Sequence, residues 1–280
     1  MESLKQPIKQ RYKMKLLFSI FFLLFIVTFC FSQKTEVRDD FKKFFEQNKV
    51  EGTCVVYDQN KNKYFVYNEE QSKKGFIPAS TFKIINSLIG LETGVIKDEH
   101  FVIRWDSVMR SNSKWNKDHD LKNAFKNSTV WYYQELARRV GSKQMKHFLD
   151  TVQYGNADTT GGIDKFWLSG EIRITALQQI EFLKKLHDNK LPFSKRSTDI
   201  VKKIMIFKDT ADYVMRCKTG WGFQEQKNIG WLVGYIEKGK NVYYFANCIQ
   251  SPLEDEKDFA KKRFDIVYAI LNELNIIKTK

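Results

Sequence analysis

Cysteine, histidine and proline are scarce in this chain, four of each in 280 residues. His100, His119, His147 and His187 are scattered, and no Cys/His cluster has metal-ligand spacing. Neither a zinc site nor a Ser-His-Asp triad is therefore expected, and no metal cofactor is called for. Acidic residues are also in the minority: 33 Asp and Glu against 47 Lys and Arg give a net charge of +14. The lysines are spread along the chain and mixed with acids, and no basic helix stripe stands out. The charge reads as a solvated basic surface rather than a nucleic-acid site, with attraction to anionic substrates or an anionic envelope as a secondary reading.

Long apolar runs are missing too. The one candidate, Leu16–Cys30, has 15 residues, which is short for a membrane span. Lys5, Lys9, Arg11, Lys13 and Lys15 precede it, and Cys30-Phe31-Ser32 places small residues at −3 and −1 of a cleavage site before Gln33. Residues 1–32 read as a cleaved signal peptide directing the chain to the periplasm. An uncleaved anchor is the alternative, bulky Phe29 disfavours a lipoprotein at Cys30, and Met14 is a second plausible start. Removing residues 1–32 leaves a net charge of +10. It also leaves Cys54, Cys217 and Cys248, an odd count that guarantees a free thiol. Each sits in a strand-like, hydrophobic stretch, so buried free thiols are the default, with a Cys54–Cys248 bridge open if those strands pair.

A chain that is 42% hydrophobic and 29% charged suits one globular unit or two intimately packed subdomains. Residues 36–48 read as a helix. Gly52–Asp58 and Lys63–Asn68 read as a hairpin. After Ser80 the pattern is helical for over a hundred residues, with loops near 105–120 and 153–170. Strands return at 213–219, 228–237 and 241–250, and an amphipathic helix covers about 257–275. The expectation is an α/β fold of the α+β type: a central antiparallel sheet built from both termini (about 33–75 and 208–280) with an inserted helical subdomain (about 76–207).

Ser80-Thr81-Phe82-Lys83 follows Pro78 and opens an apolar helical run that Gly94 stops. A serine and a lysine three apart share one helix face. Serine needs a base to become nucleophilic, and an uncharged lysine can be that base. Free N–H groups and the dipole of a first helical turn favour negative charge at the serine oxygen. The motif alone is weak. Downstream, Lys218-Thr219-Gly220 follows the alternating stretch Tyr213–Cys217, and Ser-x-x-Lys with a later Lys-Thr-Gly is the pairing of penicillin-recognising serine enzymes.

Three further motifs are weak singly. Ser128-Thr129-Val130 at a helix start is usually an N-cap, Tyr154-Gly155-Asn156 usually a turn, and the Trp of Phe166-Trp167-Leu168-Ser169-Gly170 usually hydrophobic filling. Together, in this order and spacing, the five motifs resemble the class D β-lactamases, the oxacillinases. The likeness extends through Arg104-Trp105-Asp106, Trp115–His119, Trp131–Ala137 and Gly230–Gly234, and covers roughly residues 36–275.

The resemblance implies the serine β-lactamase/penicillin-binding fold and a set of roles. Ser80 would attack the β-lactam carbonyl. Lys83 would carry a carbamate (N6-carboxylysine) formed from carbon dioxide, and act as general base. A dry pocket walled by Phe82, Val130, Trp167 and Leu168 would keep its amine neutral, and the Trp167 indole N–H would hold the carbamate. Ser128 would relay a proton to the leaving nitrogen. The backbone N–H groups of Ser80 and Trp221 would form the oxyanion hole. Lys218, Thr219, Gly220 and an arginine of the last helix, Arg263, would bind the substrate carboxylate, with Trp115 and Val130 at the substrate site. Trp221-Gly222-Phe223 departs from the small hydroxyl residues commoner in the family after Lys-Thr-Gly. The expected partners are small-molecule β-lactams, penicillins and oxacillin among them, with no nucleic acid and no protein partner, as a monomer or homodimer. The runner-up is a non-hydrolysing penicillin-binding sensor domain of a β-lactam receptor, which stays acylated; a cell-wall transpeptidase or carboxypeptidase is third.

Overall fold

A computed structural model describes residues 34–254 and 258–278. The expected signal peptide, residues 1–32, lies outside the described residues. Strands β1 (Lys34–Val37), β2 (Glu51–Asp58) and β3 (Lys63–Tyr67) come from the N-terminal part. From the C-terminal part come β6 (Ile206–Asp209), β7 (Val214–Gln224), β8 (Lys227–Lys238) and β9 (Asn241–Pro252). They form one sheet in the order β1-β3-β2-β9-β8-β7-β6. The β2–β3, β2–β9, β6–β7, β7–β8 and β8–β9 pairings are antiparallel. A sheet built from N-terminal and C-terminal strands is as expected. A separate two-stranded ladder pairs β4 (Val102–Ile103) with β5 (His119–Asp120).

Two short elements correct the sequence reading. Residues 36–48 are not one helix: β1 ends at Val37, a 3-10 turn covers Asp39–Phe41, and helix α1 runs Lys42–Gln47. Strand β6 was not expected, because all four of its residues are exposed at the sheet edge and carry no period-two signal.

The helices between are α2 (Glu69–Ser72), α3 (Lys83–Glu92), α4 (Leu121–Lys126), α5 (Val130–Val140), α6 (Ser142–Val152), α7 (Phe166–Ser169), α8 (Ala176–His187) and α9 (Lys195–Ile204). Helix α10 (Phe259–Glu273) closes the chain. Lys83 through Leu91 of α3 are all buried, so this helix is apolar on every side and sits inside the larger core. Helix α10 instead buries one stripe, Phe259, Ile266, Val267, Ile270 and Leu271, against the opposite face of the sheet.

Alternation along β2 assigns its side chains to the two faces. Val55 and Tyr57 join the core containing α3, whereas Cys54 and Val56 join the core under α10. This settles the cysteines. Strands β2 and β9 do pair, but Thr53 stands opposite Cys248 and Cys54 opposite Asn247. Cys54 and Cys248 therefore lie on opposite faces, and both are buried free thiols, as is Cys217. The bridge left open from the sequence is not formed.

Candidate active site

The turn carrying Ser80 is a 3-10 helix, Ala79–Phe82, that runs directly into α3. Residues three apart eclipse in such a turn. Lys83 Nζ accordingly stands 2.7 Å from Ser80 Oγ. Ala79 adopts φ +46°, a left-handed conformation costly for a residue with a Cβ, immediately before the serine. Ser80 is half-buried, but Lys83 has 0% exposure. Burial pushes the Lys83 amine well below the usual lysine range, and the nearby charge of Lys218 pushes the same way. The ring of Tyr133, from α5, lies 5.2 Å from the Lys83 amine. Sequence reasoning gave Tyr133 no role, although its place three residues after Val130 on an apolar helix face was a signal.

Trp167, on α7, is fully buried and stacked on Phe82 with ring centroids 5.1 Å apart. Phe166 meets the same Phe82 ring edge-on at 5.0 Å. Leu168 is half-buried against the same core. The indole N–H of Trp167 is buried with no hydrogen-bond partner among the described residues. An orphaned buried donor costs about 1–3 kcal/mol. A carboxylate-bearing adduct on the neighbouring Lys83 amine would satisfy it, so these residues fit a lysine carbamate.

Ser128 occupies the link between α4 and α5 at φ +55°, held by its own N–H on the Phe125 carbonyl at 3.2 Å. Lys218 Nζ, from β7, donates to Ser128 Oγ at 3.0 Å and lies 3.3 and 3.4 Å from the Thr219 carbonyl and hydroxyl. Lys218 is 5% exposed, and burial pushes its amine down to about 7. Val130, two residues after Ser128, is half-buried at the start of α5. Trp115 braces this link rather than opening onto it: its indole donates to the Asn127 carbonyl at 3.0 Å.

Strand β7 passes close to the serine turn because Gly220 has no side chain. A Cβ there would stand 2.9 Å from the Pro78 carbonyl and 3.2 Å from Thr81. Arg263, from α10, is 7% exposed and donates to the Gly220 carbonyl at 2.6 Å. No described carboxylate pairs with it, and burial pushes its guanidinium down to about 10. The structure thus brings Ser80, Lys83, Ser128, Lys218, Thr219, Gly220 and Arg263 together. The side chain of Trp221 points to the α10 face, where its indole donates to Asn228 at 2.9 Å.

Comparisons with known proteins agree with this geometry. A family model described as the penicillin binding protein transpeptidase domain matches residues 52–272. The chain is 46% identical to β-lactamase OXA-48 of Klebsiella pneumoniae over 211 residues, covering 75% of this chain and 80% of that protein. It is 37% identical to β-lactamase OXA-2 of Salmonella typhimurium over 265 residues, covering 93% of this chain and 94% of that protein. The solved class D β-lactamase of Sebaldella termitidis superposes with TM-score 0.84 at 38% identity, covering 88% of this chain and all of that one. That of Nostoc gives TM-score 0.80 at 44% identity, covering 84% of this chain and 98% of that one. On a family model, on relatives of this identity and coverage, and on a shared fold, the chain belongs to the class D β-lactamases.

Proposed function

We propose that this serine hydrolase opens β-lactam antibiotics through an acyl-enzyme on Ser80 and thereby confers β-lactam resistance. The carrying observation is the 2.7 Å contact between a half-buried serine and a fully buried lysine amine that no described carboxylate pairs with. Ser80 Oγ attacks the lactam carbonyl once its proton is drawn toward Lys83. A carbamate on Lys83, held by the Trp167 indole, supplies general-base capacity for acylation and for the water that deacylates.

The N–H groups of Ser80 and Trp221 take the developing oxyanion. Strand geometry supports the second donor. Cys217 N–H donates to the Met205 carbonyl, on the side of β7 away from β8. Period-two alternation sends the Trp221 N–H off the same edge, beyond the reach of β6, which pairs only with residues 214–216. Ser128, whose hydroxyl accepts a hydrogen bond from Lys218, relays to the leaving nitrogen the proton that Ser80 gives up on attack. Lys218, Thr219 and Arg263 supply cations and a hydroxyl for the substrate carboxylate, with Val130 shaping the wall beside them. Export to the periplasm follows from the basic and apolar segments of residues 1–32.

Turnover of a chromogenic cephalosporin tests the reading. Many cycles per enzyme are expected; a single stoichiometric burst would instead fit the sensor alternative.

A further inference from the structure

The side chain of Trp221 does not face the reacting atoms, yet it is held at both its N–H and its ring. Its indole N–H donates to Asn228 Oδ1 at 2.9 Å. Asn228 is 0% exposed, and its amide donates onward to the Pro252 carbonyl at 2.7 Å. The Trp221 ring packs on Phe259, the first residue of α10, with centroids 5.3 Å apart. Phe259 fits there because the residue opposite Trp221 on β8 is Gly230, where a Cβ would stand 2.8 Å from the Phe259 ring. One helical turn later, Arg263 donates to the Gly220 carbonyl.

The Gly220 carbonyl and the Trp221 N–H belong to one peptide group, which is planar and trans. A donor fixed on that carbonyl aims the N–H in the opposite direction. We infer that Trp221, Asn228 and Phe259 form a clamp behind the active site that, with Arg263, holds the Gly220–Trp221 peptide plane so that its N–H points into the oxyanion hole. Asn228 and the Trp221 indole are on this account positioning residues: they touch no substrate and act through a backbone N–H. The inference rests on the acyl-enzyme reading above. It also accounts for a large aromatic after Lys-Thr-Gly: the side chain reaches the far face of the sheet and ties β7 to the segment leading into α10.

Removing one oxyanion donor outright costs on the order of 10²–10³ in rate, so loosening its aim should cost about tenfold. Trp221→Phe keeps an aromatic ring toward Phe259 but deletes the indole N–H together with its five-membered ring, and Asn228→Ala leaves the indole whole and removes the acceptor. The test pairs the acylation rate with the infrared stretch of the acyl-enzyme carbonyl, isotope-edited and trapped in acid to slow deacylation. Both variants should acylate about tenfold more slowly with little change in KM, and their acyl carbonyl should move to higher wavenumber as the oxyanion hydrogen bond weakens. Slower acylation with an unmoved carbonyl frequency, or unchanged acylation, would overturn the clamp. Should Asn228→Ala fail to fold, Trp221→Phe decides the matter alone. A parent enzyme that forms no acyl-enzyme would overturn the β-lactamase reading itself; a normally acylating parent with variants indistinguishable from it overturns the clamp only.

Discussion

Lys83 and Lys218 reach toward the same small volume from opposite elements, α3 and β7, and each is almost wholly buried without a described carboxylate to pair with. Burial is the main cause of the lowered Lys83 basicity, and the charge of Lys218 is the second. Lys218 thus helps keep its neighbour in the neutral form that a base or a carbamate needs.

The first consequence is a trade of stability for function. The Lys218 amine falls from 10.5 to about 7 on folding. Between those values the unfolded chain holds a proton that the folded chain lacks, so stability should rise with pH through that window. Below about pH 7 the full penalty applies. Lys218→Met should therefore lose activity yet stabilise the protein near neutral pH, by an amount on the order of a few kcal/mol. Thermal melts from pH 6 to 10 check this: the parent Tm should climb relative to that of the variant. A variant melting below the parent at pH 7 would contradict it.

The Trp167 indole N–H, buried and unpartnered, predicts a selective defect. Trp167→Ala should slow deacylation more than acylation. Loss of one hydrogen bond to a charged group is worth about 1.5–3 kcal/mol, roughly tenfold to a hundredfold in rate. The acyl-enzyme should then accumulate and be seen as a mass increase by intact-protein mass spectrometry. Equal loss of both steps would speak for a purely structural tryptophan.

Carbon dioxide provides a separate handle on Lys83. A carbamate forms only from the neutral amine and is lost when acid protonates it. Because the folded amine lies well below the usual lysine range, activity should persist at neutral pH. In degassed, mildly acidic buffer it should decline, and added bicarbonate should restore it. Progress curves with and without bicarbonate read this directly, and insensitivity at every pH would leave Lys83 working as a plain amine.

The cysteines offer a check on register. With Cys54 and Cys248 on opposite faces of the sheet, reducing agent should change neither Tm nor mass, and denatured protein lacking residues 1–32 should titrate three thiols. Fewer than three would contradict the β2–β9 register.

Much of this site was legible because catalytic chemistry is local in sequence. Ser80 and Lys83 share a turn, and Lys218, Thr219 and Gly220 are consecutive, so these short motifs, weak singly, carried with three others the resemblance to the class D β-lactamases. The strand edges were less legible. Strand β6 has no buried face and hence no alternation to read, and the short β1 abuts a helix start whose apolar residues, Phe41 and Phe45, dominate the pattern. The Trp221–Asn228–Phe259 contacts were beyond reach for another reason: they depend on the β7–β8 register and on where α10 lands, and no local pattern carries either. The 3-10 turn at Ser80 and the positive φ of Ser128 likewise follow from tertiary packing that overrides local propensity.

The most direct test of the account is pre-steady-state hydrolysis of a chromogenic cephalosporin by the parent and by Ser80→Ala, with the protein mass recorded during the reaction. Many turnovers and a transient acyl adduct are expected on the parent, and neither in the variant, which lacks the hydroxyl that faces Lys83 and is proposed as the nucleophile. Hydrolysis by pure Ser80→Ala above background, or a parent that stops after one equivalent, would contradict it.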